Sequence, residues 1–126
     1  MLTTTKIVAV VEDDASMLKG LANLLSVHGF ATELYSSAEE YLTCAAESEA
    51  VCLLLDIHLG GISGIELTRR LAASGSRLPI IFMTATEDEK LQEEVMAAGC
   101  VAYLCKPFLA STLVEALNRA APDHGA

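Results

Sequence analysis

Positive charge is scarce in this chain. Eight lysines and arginines stand against seventeen aspartates and glutamates, a formal net charge of −9. Nucleic-acid binding needs a basic face to neutralise phosphates, so this balance argues against direct nucleic-acid contact. It fits a cation site or a protein partner with basic patches, and equally a surface that is simply soluble. Long apolar runs are also missing. No segment approaches the roughly 18 apolar residues of a membrane span, and Met1-Leu2-Thr3-Thr4-Thr5-Lys6 lacks the apolar stretch of a secretory signal. The four cysteines, Cys44, Cys52, Cys100 and Cys105, show no C-x-x-C spacing, which argues against a zinc or redox motif. Cys52 and Cys105 lie inside apolar runs, where a free thiol acts as a small hydrophobe. The expectation is a reducing, cytoplasmic compartment and no membrane association.

What the chain does have is a core. It is 126 residues long and 52% hydrophobic, which suits one domain over 1–126, with a core of about 5–120 and a frayed tail at 121–126. Short β-branched or apolar runs occupy 6–11, 31–35, 50–55, 79–83 and 101–105. Helical spacing fills the gaps between them. Met17, Leu18, Leu21, Leu24, Leu25 and His28 share one face; so do Leu67, Arg70 and Leu71, then Leu91, Val95 and Ala98, then Leu109, Leu113, Ala116 and Leu117. Ser37…Glu40, Ser63…Glu66 and Thr86…Glu89 read as capping boxes. Gly29, Gly75 and Gly99 sit where helices should stop, and Pro79 opens the fourth run.

Strands alternating with helices imply an α/β fold with a parallel sheet and right-handed crossovers. Five strands suit the flavodoxin-like (βα)5 three-layer sandwich of strand order 2-1-3-4-5. The polar second run (Thr32, Glu33, Tyr35, Ser36) suits an edge strand.

Ligands of such sheets bind beyond the carboxyl ends of the strands, at the switch in strand order. Run one ends at Glu12-Asp13-Asp14, run three at Asp56, run four at Thr84 and run five at Lys106. Two negative charges about 5 Å apart repel by roughly 3 kcal/mol at an effective dielectric of 20. Carboxylates gathered there raise one another's pKa or recruit a cation. Hard carboxylate oxygens suit Mg²⁺, which commonly also holds a phosphate. Lys106 offers a point charge for a phosphoryl oxygen, and Thr84 a hydroxyl donor. Asp14 reads as the cap of the first helix.

Together, Val10-Val11-Glu12-Asp13-Asp14, Leu55-Asp56-Ile57-His58-Leu59-Gly60-Gly61-Ile62-Ser63-Gly64, Met83-Thr84-Ala85 and Tyr103-Leu104-Cys105-Lys106-Pro107-Phe108 resemble the receiver domain of two-component response regulators, with the nitrogen-fixation-regulator type as the nearest variety. The resemblance implies a phosphorylatable switch rather than an enzyme, limited to self-phosphorylation and slow autodephosphorylation. It makes Asp56 the phosphoacceptor. Mg²⁺ would be held by Asp13, Asp56 and the His58 backbone carbonyl, with Glu12 acting through water. Thr84 and Lys106 would hold phosphoryl oxygens, and Thr84 with Tyr103 would form the switch. It also implies a cis Lys106-Pro107 bond, and His58 and Thr86 flanking the hydrolytic water. Two departures stand out: Leu59-Gly60 replaces the common Met-Pro, and Glu12 the more frequent Asp.

The implied partners are a sensor histidine kinase or histidine phosphotransfer protein, and a downstream target or an output domain outside this chain. A homodimer on phosphorylation is a further expectation. An Mg²⁺-dependent phosphatase with an Asp nucleophile is the enzymatic alternative, but it needs an Asp where His58 stands. Flavodoxin would need a phosphate loop where Glu12-Asp13-Asp14 would repel one. A receiver that folds but is never phosphorylated remains the third alternative.

Overall fold

The computed structural model describes residues 5–85 and 88–121. Its elements run β1 (Ile7–Val11), α1 (Ala15–Val27), β2 (Ala31–Tyr35), α2 (Ala38–Cys44), a 3₁₀ turn (Ala45–Glu47), β3 (Cys52–Asp56), α3 (Gly64–Ala73), β4 (Ile80–Thr84), α4 (Glu89–Ala97), β5 (Ala102–Cys105) and α5 (Ala110–Ala120). All strand pairs are parallel, in the order β2-β1-β3-β4-β5. The expected flavodoxin-like topology is the one observed.

Alternation along each strand divides the core in two. Ala9, Val11, Leu53, Leu55 and Phe82 face one way and pack with Tyr35, Tyr41, Ile65, Leu67, Leu71 and Val95. Val8, Val10, Cys52, Leu54, Ile81 and Met83 face the other, against Leu21 and Leu25 of α1 and Leu113, Ala116 and Leu117 of α5. Every residue of β3 and β4 is buried, which is why both read as continuous apolar runs. Each fully buried Leu or Ile contributes about 1.5–3 kcal/mol. β2, with one fully buried residue, lies on the edge.

The helix boundaries follow local chemistry. Asp14 caps α1, accepting from the amides of Ser16 and Met17 at 2.9 and 3.1 Å. The two serine boxes form by half. Ser37 and Ser63 accept from the amides of Glu40 and Glu66, but the acids look elsewhere: Glu40 takes the Ser36 hydroxyl and Glu66 pairs with Arg70. Thr86, expected to open the fourth helix, lies outside the described residues. Asp88 is the N-cap of α4, accepting from the Lys90 amide at 2.9 Å. His28 is also displaced from its expected apolar face. It sits exposed at the end of α1, its Nδ1 2.9 Å from the Leu24 carbonyl oxygen. Leu109 is the residue before α5 and is 72% exposed.

Strands β3 and β4 begin and end slightly later than their apolar runs. Asp56 and Thr84 close β3 and β4 rather than following them. The reason is backbone pairing: the Ile57 amide reaches the Met83 carbonyl at 3.0 Å, and the Lys106 amide the Thr84 carbonyl at 2.7 Å. Among the described residues, no helix is long and apolar enough to cross a membrane.

Candidate phosphoryl and cation site

The order β1-β3-β4-β5 places four chain segments side by side at the carboxyl edge of the sheet. Val11 is level with Leu55, Asp56 with Met83, and Thr84 with Cys105. The next residues therefore emerge together. One carboxylate oxygen from each of Glu12, Asp13 and Asp56 lies within 4.8 Å of the others. Glu12 is 1% exposed and Asp56 6%; Asp13 is open to solvent.

Buried carboxylates demand partners. Lys106 provides them: its Nζ donates to Glu12 Oε1 at 2.7 Å and to Asp56 Oδ2 at 3.3 Å. Burial alone would lower the Lys106 pKa. The Glu12 hydrogen bond and the Asp56 and Glu12 charges outweigh it, so the net direction is upward. Backbone amides do the rest. His58 donates to Asp56 Oδ1 at 3.1 Å and Asp14 to Glu12 Oε2 at 3.2 Å. Three carboxylates around one ammonium still leave two negative charges uncompensated. That excess, on hard oxygen donors with one solvent-facing member, fits a divalent cation such as Mg²⁺.

The loop after β3 is shaped by close approach. The Gly64 amide donates to the Ile57 carbonyl at 3.0 Å. A Cβ on Gly64 would meet the Asp56 carbonyl oxygen at 2.5 Å and the Ile57 Cα at 3.0 Å. Only glycine lets α3 start this near the Asp56 backbone. The Lys106-Pro107 peptide is cis.

Thr84, 0% exposed, stands opposite Cys105 on β5. Side-chain hydrogen bonds join Tyr103 to Cys105 and Thr84; burial first, then Cys105, raises the Tyr103 hydroxyl pKa, and Thr84 opposes them. Thr84 and Tyr103 are thus in contact across β4 and β5. The sequence assigned Cys105 to packing alone, whereas it belongs to this polar cluster. Its neighbour in sequence, Lys106, gave no hint of that.

Of the residues singled out from the sequence, Glu12, Asp13, Asp56 and Lys106 come together, with Thr84 and Tyr103 on the adjoining strands. The His58 side chain is exposed, and only its amide is seen to engage the site. Two further contacts were not foreseen. The Gly60 amide donates to Asp13 Oδ2 at 3.3 Å, and the Ile62 amide to Glu39 Oε2 at 3.4 Å.

Residues 8–118 match the family model of the response regulator receiver domain. This chain is a member of that family. Among curated relatives, the receiver domain is 37% identical over 115 residues to nodulation protein W of Bradyrhizobium diazoefficiens, covering 91% of this chain and 51% of that protein. It is 34% identical over 113 residues to the transcriptional regulatory protein FixJ of Rhizobium meliloti, covering 90% and 55%. The chain thus spans about half the length of the curated relatives it matches. The crystal structure of FixJ-N superposes with a TM-score of 0.88 at 33% identity, covering 94% of this chain and 95% of that one. The response regulator StyR gives 0.84 at 37% identity, covering 94% and 60%. Receiver domains are signalling modules rather than conventional enzymes, and the nitrogen-fixation-regulator type is the variety these relatives support.

Proposed function

We propose that this receiver accepts a phosphoryl group on Asp56 from the phosphohistidine of a sensor kinase or a histidine phosphotransfer protein. One observation carries the proposal: the buried Asp56 carboxylate has one oxygen 3.3 Å from the Lys106 ammonium and lies in a carboxylate group spanning 4.8 Å. In the transfer, the phosphorus–nitrogen bond of phosphohistidine breaks as an Asp56 oxygen bonds to phosphorus, and the histidine nitrogen leaves with its electron pair. Catalysis of this kind is mostly position and charge compensation.

Asp13, Asp56 and the His58 carbonyl would hold Mg²⁺, with Glu12 behind a water. The ion supplies charge neutralisation for phosphoryl oxygens. Lys106 would move from its carboxylate partners to a phosphoryl oxygen, and Thr84 would turn its hydroxyl towards another. Because Thr84 already contacts Tyr103, that turn alters the packing of Tyr103 and, with it, the surface of α4, β5 and α5. His58 and Thr86, each two residues beyond a site residue, would set the access of hydrolytic water. The altered surface would be read by a downstream protein, an output domain outside this chain, or a second copy of the receiver. The whole of 1–126 acts as one domain in this proposal, and the cytoplasm is its setting.

Phosphotransfer tests it. Wild-type protein with Mg²⁺ and a phosphodonor such as acetyl phosphate gains an acid-stable, base-labile label. Asp56→Asn gains none and keeps its circular dichroism spectrum. Asp13→Ala labels slowly and binds Mg²⁺ weakly. Undiminished labelling of Asp56→Asn overturns the assignment of the acceptor.

A further inference from the structure

Glu39 lies on α2, outside the carboxylates gathered at the strand ends. Its side chain nonetheless reaches the loop between β3 and α3. Glu39 Oε2 accepts from the Ile62 amide at 3.4 Å. It also stands over Gly61, whose φ is +85°, where a Cβ would come within 2.5 Å of that same oxygen. Two residues before Ile62, the Gly60 amide donates to Asp13 Oδ2 at 3.3 Å. Carboxylates from α2 and from the loop between β1 and α1 thus grip the same short loop.

The loop needs the grip. Leu59-Gly60 stands where receivers commonly carry Met-Pro, so no ring fixes the backbone there, and Gly60-Gly61 is the most permissive dipeptide available. The same change creates something: proline has no N–H, whereas Gly60 supplies the one that meets Asp13.

We propose that Glu39 is a positioning residue for the cation site, fastening the 57–63 loop so that the Gly60 amide orients Asp13. The proposal rests on Asp13 being a cation ligand and deepens that reading. A solvent-exposed carboxylate loses rotational freedom when it ligates, and a donor that orients it beforehand reduces the loss. The donor does this only if its own backbone is held, and the Ile62 amide bond to Glu39 holds it from the far side. Reciprocity follows: a cation on Asp13 also tightens the loop against α2.

A distant carboxylate also attracts a cation by charge alone, so the test separates the two effects. Glu39→Ala and Glu39→Gln remove the same charge, but only glutamine keeps an oxygen that can accept from Ile62. Mg²⁺ affinity is measured by calorimetry on the full chain, and the Gly60 and Ile62 amides are followed by ¹⁵N relaxation. Glu39→Ala is expected to weaken Mg²⁺ about tenfold, with the Gly60 order parameter dropping from near 0.85 towards 0.6. Glu39→Gln should recover more than half of both losses. Equal weakening in the two variants with unchanged Gly60 order overturns the proposal in favour of charge, and unaltered affinity in both overturns it outright. If the wild-type chain takes up no Mg²⁺, the reading of Asp13 falls as well, so the two failures are distinguishable.

Discussion

Two glycine-to-alanine substitutions should move stability in opposite directions. At Gly64, an added Cβ would meet backbone atoms: the Asp56 carbonyl oxygen at 2.5 Å, the Ile57 Cα at 3.0 Å and the Asp56 carbonyl carbon at 3.2 Å. None of these is a side-chain tip that can swing aside, so α3 must shift from the end of β3. Forcing one methyl into such a contact costs about 1–3 kcal/mol. Alanine regains no more than about 1 kcal/mol of helix propensity. The expected net loss is about 1–2 kcal/mol, or roughly 3–8 °C in melting temperature for a chain of this size. Gly20, in the middle of α1, has nothing within 4 Å of the same added atom. Gly20→Ala should therefore stabilise by about 0.5–1 kcal/mol. Urea denaturation of both variants beside wild type decides the matter, and labelling of Gly64→Ala should slow as Asp56 is displaced. Gly64→Ala as stable as wild type would refute the close approach of α3 to the end of β3.

Three further outcomes are expected. Lys106→Met leaves the buried Glu12 and Asp56 without their ammonium partner, so urea unfolding without metal should show a loss of about 1–3 kcal/mol, part of which Mg²⁺ restores. The Lys106 pKa is raised in the fold. Its contribution is therefore full below 10.5, the ordinary lysine value, and is lost as pH rises through the higher folded value. The gap between wild type and Lys106→Met, read by urea midpoints, should close in that range; a constant gap would contradict the ion pairing. For Glu33 on β2, burial pushes the pKa up, but hydrogen bonds from Ser48, the Glu49 amide and Tyr35 prevail and lower it. Its contribution is present above 4.5 and vanishes as pH falls through the lower folded value, so Glu33→Gln should flatten the acid limb of the stability profile.

The sheet was legible because its strands are short, apolar and separated by helical spacing; β3 and β4 are buried on both faces, and their sequences are correspondingly monotonous. The site was legible because topology alone brings the ends of β1, β3, β4 and β5 together. Less visible was α2, seven residues long with only Ala38 and Tyr41 buried, whose sole signal was the Ser37 cap. Thr86…Glu89 was read as the capping box ahead of α4; Asp88 is the N-cap of that helix, and Thr86 lies outside the described residues. The Gly60 and Glu39 contacts were out of reach. They join backbone amides to side chains from other parts of the chain, and no periodicity encodes such pairs. Cys105 misled because its sequence neighbours are apolar, whereas its side chain engages the Tyr103 hydroxyl two residues earlier on β5.

Among the described residues, the Glu12, Asp13 and Asp56 carboxylates gather with Lys106 at one edge of the sheet, and the opposite edge lies away from them. The turn between α3 and β4 lies on that far edge, and residues 72–77 are exposed throughout. Its backbone is already reversed by Gly75 at φ +86°. A reporter, affinity handle or guest domain spliced between Gly75 and Arg77 would be separated from Asp56 by the full length of β4. The receiver can thus be tagged, fused or decorated from beneath without disturbing the carboxylate cluster above.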